Sequence, residues 1–137
     1  MSGGLLKNPA GEPDSLSALA LAHVGDAVYD LLVRTELAAQ GRLRNDSLHK
    51  ETVALVNAHA QFAAAERLLP LLTEEESAVF RRARNAKVHS VPKNAAISDY
   101  HGATGLEALF GWLWLKGREE RIRELFDIIM ENANNGD

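Results

Sequence analysis

At 137 residues, 46% of them apolar and 25% charged, the chain is the size of one domain with enough apolar side chains for a core. It has no cysteine, which excludes disulfides, thiolate zinc sites and cysteine nucleophiles. The net charge of −4 argues weakly against a nucleic-acid partner. Charge is felt over about a Debye length, roughly 8–10 Å, so its local distribution matters more than the sum. Few aromatics and abundant Ala and Leu favour helix over sheet. No secretory signal stands in the first 13 residues, and no segment approaches the roughly 20 apolar residues of a bilayer span. A soluble, cytoplasmic protein without a membrane partner is the expectation.

Residues 1–13 read as a flexible N-terminus. Pro13 and Asp14 then give a start signal and Gly41 a stop, bounding a helix from Asp14 to Gln40 with Leu16, Leu19, Leu21, Val24, Val28, Leu31 and Leu32 at largely helical spacing. After a polar link, Asp46 or Ser47 caps a helix from about Leu48 to Leu69, with Val53, Leu55, Val56 and Phe62 on its buried side and Pro70 at its end. Thr73 and Glu76 have the form of a capping box for a helix that runs to about Arg84. A basic loop from Asn85 to about Ile97 follows. The helix from Asp99 to Leu115 is rich in Gly and then in aromatics, and Gly117 separates it from an amphipathic helix, Arg118 to Glu131. Residues 132–137 read as a frayed tail. The fold class is all-α, five or so helices with no convincing strand.

Two acids stand where acids are costly. Asp26 lies in LALAHVGDAVYDLLVR, inside an apolar helix, and a carboxylate there must be paired, protonated or bound to a metal. Its neighbour Gly25 costs roughly 1 kcal/mol against Ala in a helix interior, which suggests that a backbone or ligand comes close. Glu107 is likewise the single acid of ATGLEALFGWLWL. Two such acids could converge on one hard cation such as Mg²⁺, which takes one or two protein carboxylates and completes its shell with water and phosphate. Asp26 also fits a place at the solvent border or a pair with Arg34, and Asp30 and Glu36 look like ordinary solvent-face acids. His23, His49, His59, His89 and His101 form no ligand pattern, so zinc is not expected. His23, three residues before Asp26, fits either an approach to the same site or an interfacial position. No nucleophile elbow, Walker loop or dinucleotide fingerprint is present.

The third feature is charge. RRARNAKVHSVPK, residues 81–93, carries five Lys or Arg and no acid. Arg81, Arg82, Arg84, Lys87 and Lys93 would reach phosphates, and Asn85 and Asn94 would hydrogen-bond RNA. Arginines near a helix C-terminus also suit the helix dipole, so a solvated helix end fits as well.

The Gly25-Asp26 segment resembles the ribonuclease III signature helix, and ATGLEALFGWLWL resembles that family's second metal-binding helix. LHKETVALVNAHAQ and RRARNAKVHSVPKNA resemble the Mini-III subfamily, and the match spans about residues 16 to 130. The resemblance implies a catalytic domain at 14–131, acting as a homodimer on double-stranded RNA with Mg²⁺ and leaving 5′-phosphate ends. It also implies maturation of precursor large-subunit (23S) ribosomal RNA, Asp26 and Glu107 as catalytic and metal-holding carboxylates, and a loop from Arg84 to Asn94 that enters an RNA groove. Two departures from full-length ribonuclease III stand out. Ala22 and Thr104 occupy places where that family has further acids, and 137 residues leave no room for its double-stranded-RNA-binding domain. The expected chemistry is metal-assisted phosphodiester hydrolysis with no obvious side-chain general base. A non-catalytic double-stranded-RNA or ribosome-binding protein on the same fold is the alternative, and a helical protein-interaction module is a third.

Overall fold

In the computed structural model of the chain, residues 12–42, 44–86 and 96–134 are described, their side chains as far as residue 131. Among them the regular structure is helical throughout: α1 (Ala18–Ala39), α2 (Leu48–Val56), α3 (Ala58–Leu68), α4 (Glu74–Arg84), α5 (Ile97–Leu115) and α6 (Glu119–Asn134), with single 3-10 turns at Pro13–Ser15 and Leu69–Leu71. The all-α expectation holds. The capping box is made as the spacing requires: Thr73 Oγ1 accepts from the Glu76 amide at 3.1 Å, and Glu76 Oε1 accepts from the Thr73 amide at 2.9 Å. Gly41 and Gly117 close α1 and α5 at φ 69° and 74°, a left-handed conformation that costs glycine little.

Several boundaries differ from the pattern, among them the start of α5 at Ile97 rather than Asp99, and two do so for visible reasons. The helix expected from Leu48 to Leu69 is two, because Asn57 leaves helical geometry at ψ 160°. Its Nδ2 donates to the carbonyls of Val53 and Ala54, while its Oδ1 accepts from the Ala60 amide at 2.9 Å. One side chain thus satisfies orphan groups at the end of α2 and the start of α3. The first helix starts at Ala18 rather than Asp14, with Ser17 as its cap. Asp14 accepts instead from Trp112 Nε1 at 2.7 Å and from Lys116 Nζ at 3.0 Å, which holds its carboxyl below the usual range and ties the 3-10 turn to α5. Helix α6 also continues to Asn134, three residues beyond the expected end. Within α2 the buried residue is Thr52, whose hydroxyl donates to the Leu48 carbonyl, and Val53 is 39% exposed.

Helix α5 is apolar on every side, as a helix must be when neighbours surround it. It packs against α1, α3 and α4 over most of its length, and from Gly102 to Leu113 only Glu107 is not buried. Its glycines make room for those neighbours. A Cβ at Gly102 would meet the Phe62 ring of α3, one at Gly105 the Phe80 ring of α4, and one at Gly111 the Leu21 carbonyl of α1. On the facing helix, a Cβ at Gly25 would lie 1.5 Å from the Glu107 carbonyl oxygen. The two helices therefore cross backbone to backbone, as the helix-interior Gly25 suggests. Phe110 and Trp112 are fully buried, so they serve the core. Tyr29 of α1 joins α5 and α6, edge-on to Phe110 at 5.4 Å and to Phe126 at 5.8 Å.

Because the atoms facing Gly25 are backbone and cannot swing aside, Gly25→Ala should exceed the usual overpacking cost of about 1–3 kcal/mol. Urea unfolding measures it. A midpoint equal to wild type would mean that α1 and α5 separate at no cost.

Candidate active site

The crossing of α1 and α5 places Asp26, next to Gly25, beside Glu107, whose own carbonyl lies under Gly25. Asp26 is exposed and Glu107 half-buried. The two carboxyl groups come within hydrogen-bonding reach, and the Glu107 carboxyl is pushed up to about 8. Burial is the larger cause, followed by the negative charge of Asp26 and their shared hydrogen bond, with a bond from Gln61 opposing. Two carboxylates so close do not both ionise readily without a cation. Oxygen donors held in this way suit a hard divalent ion. Arg34 is not the partner of Asp26, because it pairs with Asp30 one turn away at 3.1 Å.

The third polar group at the site is Gln61 of α3. Its Nε2 donates to Glu107 Oε2 at 3.4 Å, although Gln61 itself is only 3% exposed. Nothing in the motif pattern singles out Gln61. The signal was present all the same, since Gln61, Ala64, Ala65 and Leu68 form a buried i, i+3, i+4, i+7 stripe on which the glutamine is the one polar member. Ala22 and Thr104, one turn before Asp26 and Glu107 respectively, are buried, and the Thr104 hydroxyl donates back to the Tyr100 carbonyl at 2.9 Å. The carboxylate set is accordingly small: no cluster of three or more His, Cys, Asp or Glu side chains suited to a metal occurs among the described residues. His23 lines a groove between α1 and α6. His59 and Asp99, 40 residues apart, meet at 3.1 Å on the α3–α5 edge, a pair that sequence adjacency does not reveal.

Of the basic residues, Arg81, Arg82 and Arg84 occupy the last turn of α4, and Asn85 follows as its C-cap. Arg82 donates to the Leu16 carbonyl at 3.2 Å, just ahead of α1. The Arg84 guanidinium lies 5.8 Å from the centre of the Phe80 ring and donates to Asn85 Oδ1. None of the three forms an ion pair with an acid among the described residues, whereas Arg34, Arg42, Arg118 and Arg121 each do. Lys87 and Lys93, with most of the basic loop, lie outside the described residues.

Comparison with known proteins bears on this arrangement directly. Residues 19–118 match the Ribonuclease III domain family, a span that contains both carboxylates and the α4 arginines. The chain belongs to the ribonuclease III family. It is 44% identical over 117 residues to the Mini-ribonuclease 3 of Thermoanaerobacter sp. (strain X514), covering 85% of this chain and 82% of that one. To the Mini-ribonuclease 3 of Brevibacillus brevis it is 46% identical over 114 residues, covering 83% and 85%. A crystal structure of a Fusobacterium nucleatum protein superposes with a TM-score of 0.78 at 31% identity, over 85% of this chain and 95% of that one. Membership makes this chain an endoribonuclease, so the Mini-III resemblance of the sequence holds for the family and for the activity.

The raised Glu107 carboxyl has a consequence for stability. Between an unfolded value near 4.5 and a folded value of about 8, the folded state keeps a proton that the unfolded state has lost. Without divalent cation, stability should therefore fall as pH rises through that window and level off above it. Glu107→Gln should flatten the fall and melt higher than wild type at pH 8.5. Parallel melting curves for the two proteins across the window would contradict the assignment.

Proposed function

We propose that this endoribonuclease cuts double-stranded RNA as a homodimer, with Asp26 and Glu107 holding Mg²⁺ between α1 and α5. The observation that carries the reading is the convergence of these two carboxylates, 81 positions apart in sequence, at a backbone-tight helix crossing. A divalent cation held there would supply charge neutralisation and polarisation at the scissile phosphate. Asp26, exposed, presents its charge to the substrate side. Glu107, half-buried, would release its proton on holding such an ion. The rigid crossing keeps both carboxylates in register, which limits the reorganisation needed at the moment of reaction. Arg81, Arg82 and Arg84 contact phosphates, where their lack of described acidic partners favours an anion. Asn85, Lys87 and Lys93, the remaining RNA-contacting candidates of the sequence, would add to those contacts. Such contacts read A-form shape more than base sequence, because the major groove of an RNA duplex is deep and narrow. The substrate in this reading is precursor 23S ribosomal RNA in the cytoplasm, as the Mini-III resemblance of the sequence implies.

The homodimer rests on the surface of α1 and α6. Val28, Leu31, Leu32, Trp114, Ile122 and Phe126 line an apolar groove there, and Leu31 is 61% exposed. A second copy, related by a two-fold axis, would cover the same face on each protomer and set two sites against one duplex. Groups at the rim of the groove, among them Glu36, Glu119, Arg123 and Asp127, suit the polar border of such an interface.

Cleavage of an RNA duplex tests the site. Asp26→Asn keeps the size of the side chain and removes its charge, so it should reduce the rate by about 10²–10³-fold or more with duplex affinity largely retained. Glu107→Gln should match it, and the double variant should lose little more than either single one, since both act through one ion. A well-folded Asp26→Asn protein that cuts at near wild-type rate would remove the proposal.

Sedimentation tests the dimer separately. Leu31→Arg puts a charge on the exposed apolar face of each copy without touching the core. It should give a folded monomer at concentrations where the wild type is a dimer. A variant that still sediments as a dimer would move the interface elsewhere.

A further inference from the structure

We infer that Gln61 is a positioning residue for the cation site: its buried amide, presented from α3, fixes the Glu107 carboxylate in the orientation that a divalent ion requires. The inference rests on the reading of Asp26 and Glu107 as the cation's ligands and adds a third helix to the machinery.

A primary amide on a core stripe is costly unless a partner satisfies it, and an apolar residue would pack at that position with less penalty. The partner is Glu107, 46 positions away, whose Oε2 accepts from the Gln61 Nε2. At 3.4 Å the bond is long. Hydrogen bonds at catalytic groups are often long before ligand arrives and tighten in the working complex.

The donor is also held firmly. Asn57 caps α3 one turn before Gln61, the neighbouring Phe62 ring sits in the space that Gly102 leaves open, and Ala64, Ala65 and Leu68 are locked in the core. Glutamate, by contrast, has three side-chain torsions to settle, and a fixed donor on one oxygen removes much of that freedom. The chemical type of the donor matters as much as its place. Lysine or arginine at this position would neutralise Glu107 and compete with the cation, while glutamate would add repulsion that a proton or a cation must relieve. An amide orients a carboxylate without changing its charge. Groups that orient metal ligands in this way typically contribute 10–100-fold in metal affinity.

Two variants and two readouts test the assignment. Gln61→Leu keeps the volume and removes the donor. Its melting temperature without cation should equal or exceed that of wild type, because a buried polar group is gone. Its affinity for Mn²⁺, measured by calorimetry without RNA, should weaken by about 10-fold, and the Mg²⁺ concentration for half-maximal cleavage should rise by a similar factor. Raising Mg²⁺ should then restore most of the rate. Gln61→Glu keeps the shape and adds a charge, so it should melt lower than wild type without cation and gain more from added Mg²⁺ than wild type does. A Gln61→Leu protein that binds Mn²⁺ as wild type does, whether or not its melting temperature falls, would reduce Gln61 to a structural role and overturn the inference. Should Gln61→Leu fail to fold, Gln61→Glu decides alone: a Mg²⁺-induced gain no larger than wild type's overturns it. The underlying reading fails separately, if Asp26→Asn binds Mn²⁺ with wild-type affinity.

Discussion

Two helices can approach to backbone contact only where neither carries a Cβ at the crossing, and α1 and α5 meet this condition through Gly25 and Gly111. Each glycine costs roughly 1 kcal/mol of helix propensity against Ala. The return is geometric. With the Glu107 carbonyl lying under Gly25, the side chains of Asp26 on α1 and Glu107 on α5 start from neighbouring backbone. The carboxylate pair is therefore a product of this backbone-tight crossing, and the environment that raises Glu107 follows from the same contact. Tyr29, one turn further along α1, shares that environment: burial pushes its phenol up, and the charge of Glu107 adds to the shift.

The parts of this arrangement that were legible in the sequence are those that break a pattern sharply. Asp26 and Glu107 interrupt long apolar runs, and Gly25 interrupts a helix that has every reason to prefer alanine. Gln61 interrupts its pattern as well, but α3 is so rich in alanine that its buried stripe has little contrast with the rest of the helix. The break at Asn57 was hidden for a related reason. Asparagine in a polar stretch reads as neutral, and its double capping role depends on hydrogen bonds across the joint that spacing alone does not display. Arg34, by contrast, lies two turns beyond Asp26 but one turn beyond Asp30, so helical spacing itself favours the second pair, the one that forms.

Charge is distributed so that a net negative protein can still offer a positive surface. Of the three acids that open α4, Glu74 and Glu75 are exposed and Glu76 is turned inward. Glu76, nearly buried, receives two hydrogen bonds of 2.8 Å from Arg121 of α6 as well as the capping bond to Thr73, and Glu75 pairs with Arg118. Arg121 is further held by Glu124 and by the Leu71 carbonyl. Breaking such a pair by removing one partner would strand a buried charge. The other end of α4 carries Arg81, Arg82 and Arg84 without described acidic partners. The helix is thus polarised along its length: its acidic end is tied to Arg118 and Arg121, and its basic end carries arginines without such pairs, in the sense that complements the helix dipole at both ends.

The joint at Asn57 has a mechanical meaning. Had residues 48–68 formed one uninterrupted helix, it would have been a stiff rod of roughly 30 Å, with Gln61 near its middle. Any push on the Leu48 end, from a bound duplex or a neighbouring protomer, would have tilted that rod like a lever and shifted the amide against Glu107. The kink gives the two halves separate directions. Helix α3 stays against α5, its Phe62 ring in the space left by Gly102, while α2 packs on α1 and α3. One asparagine thereby lets the Gln61 amide stand beside Glu107 without fixing where α2 must lie.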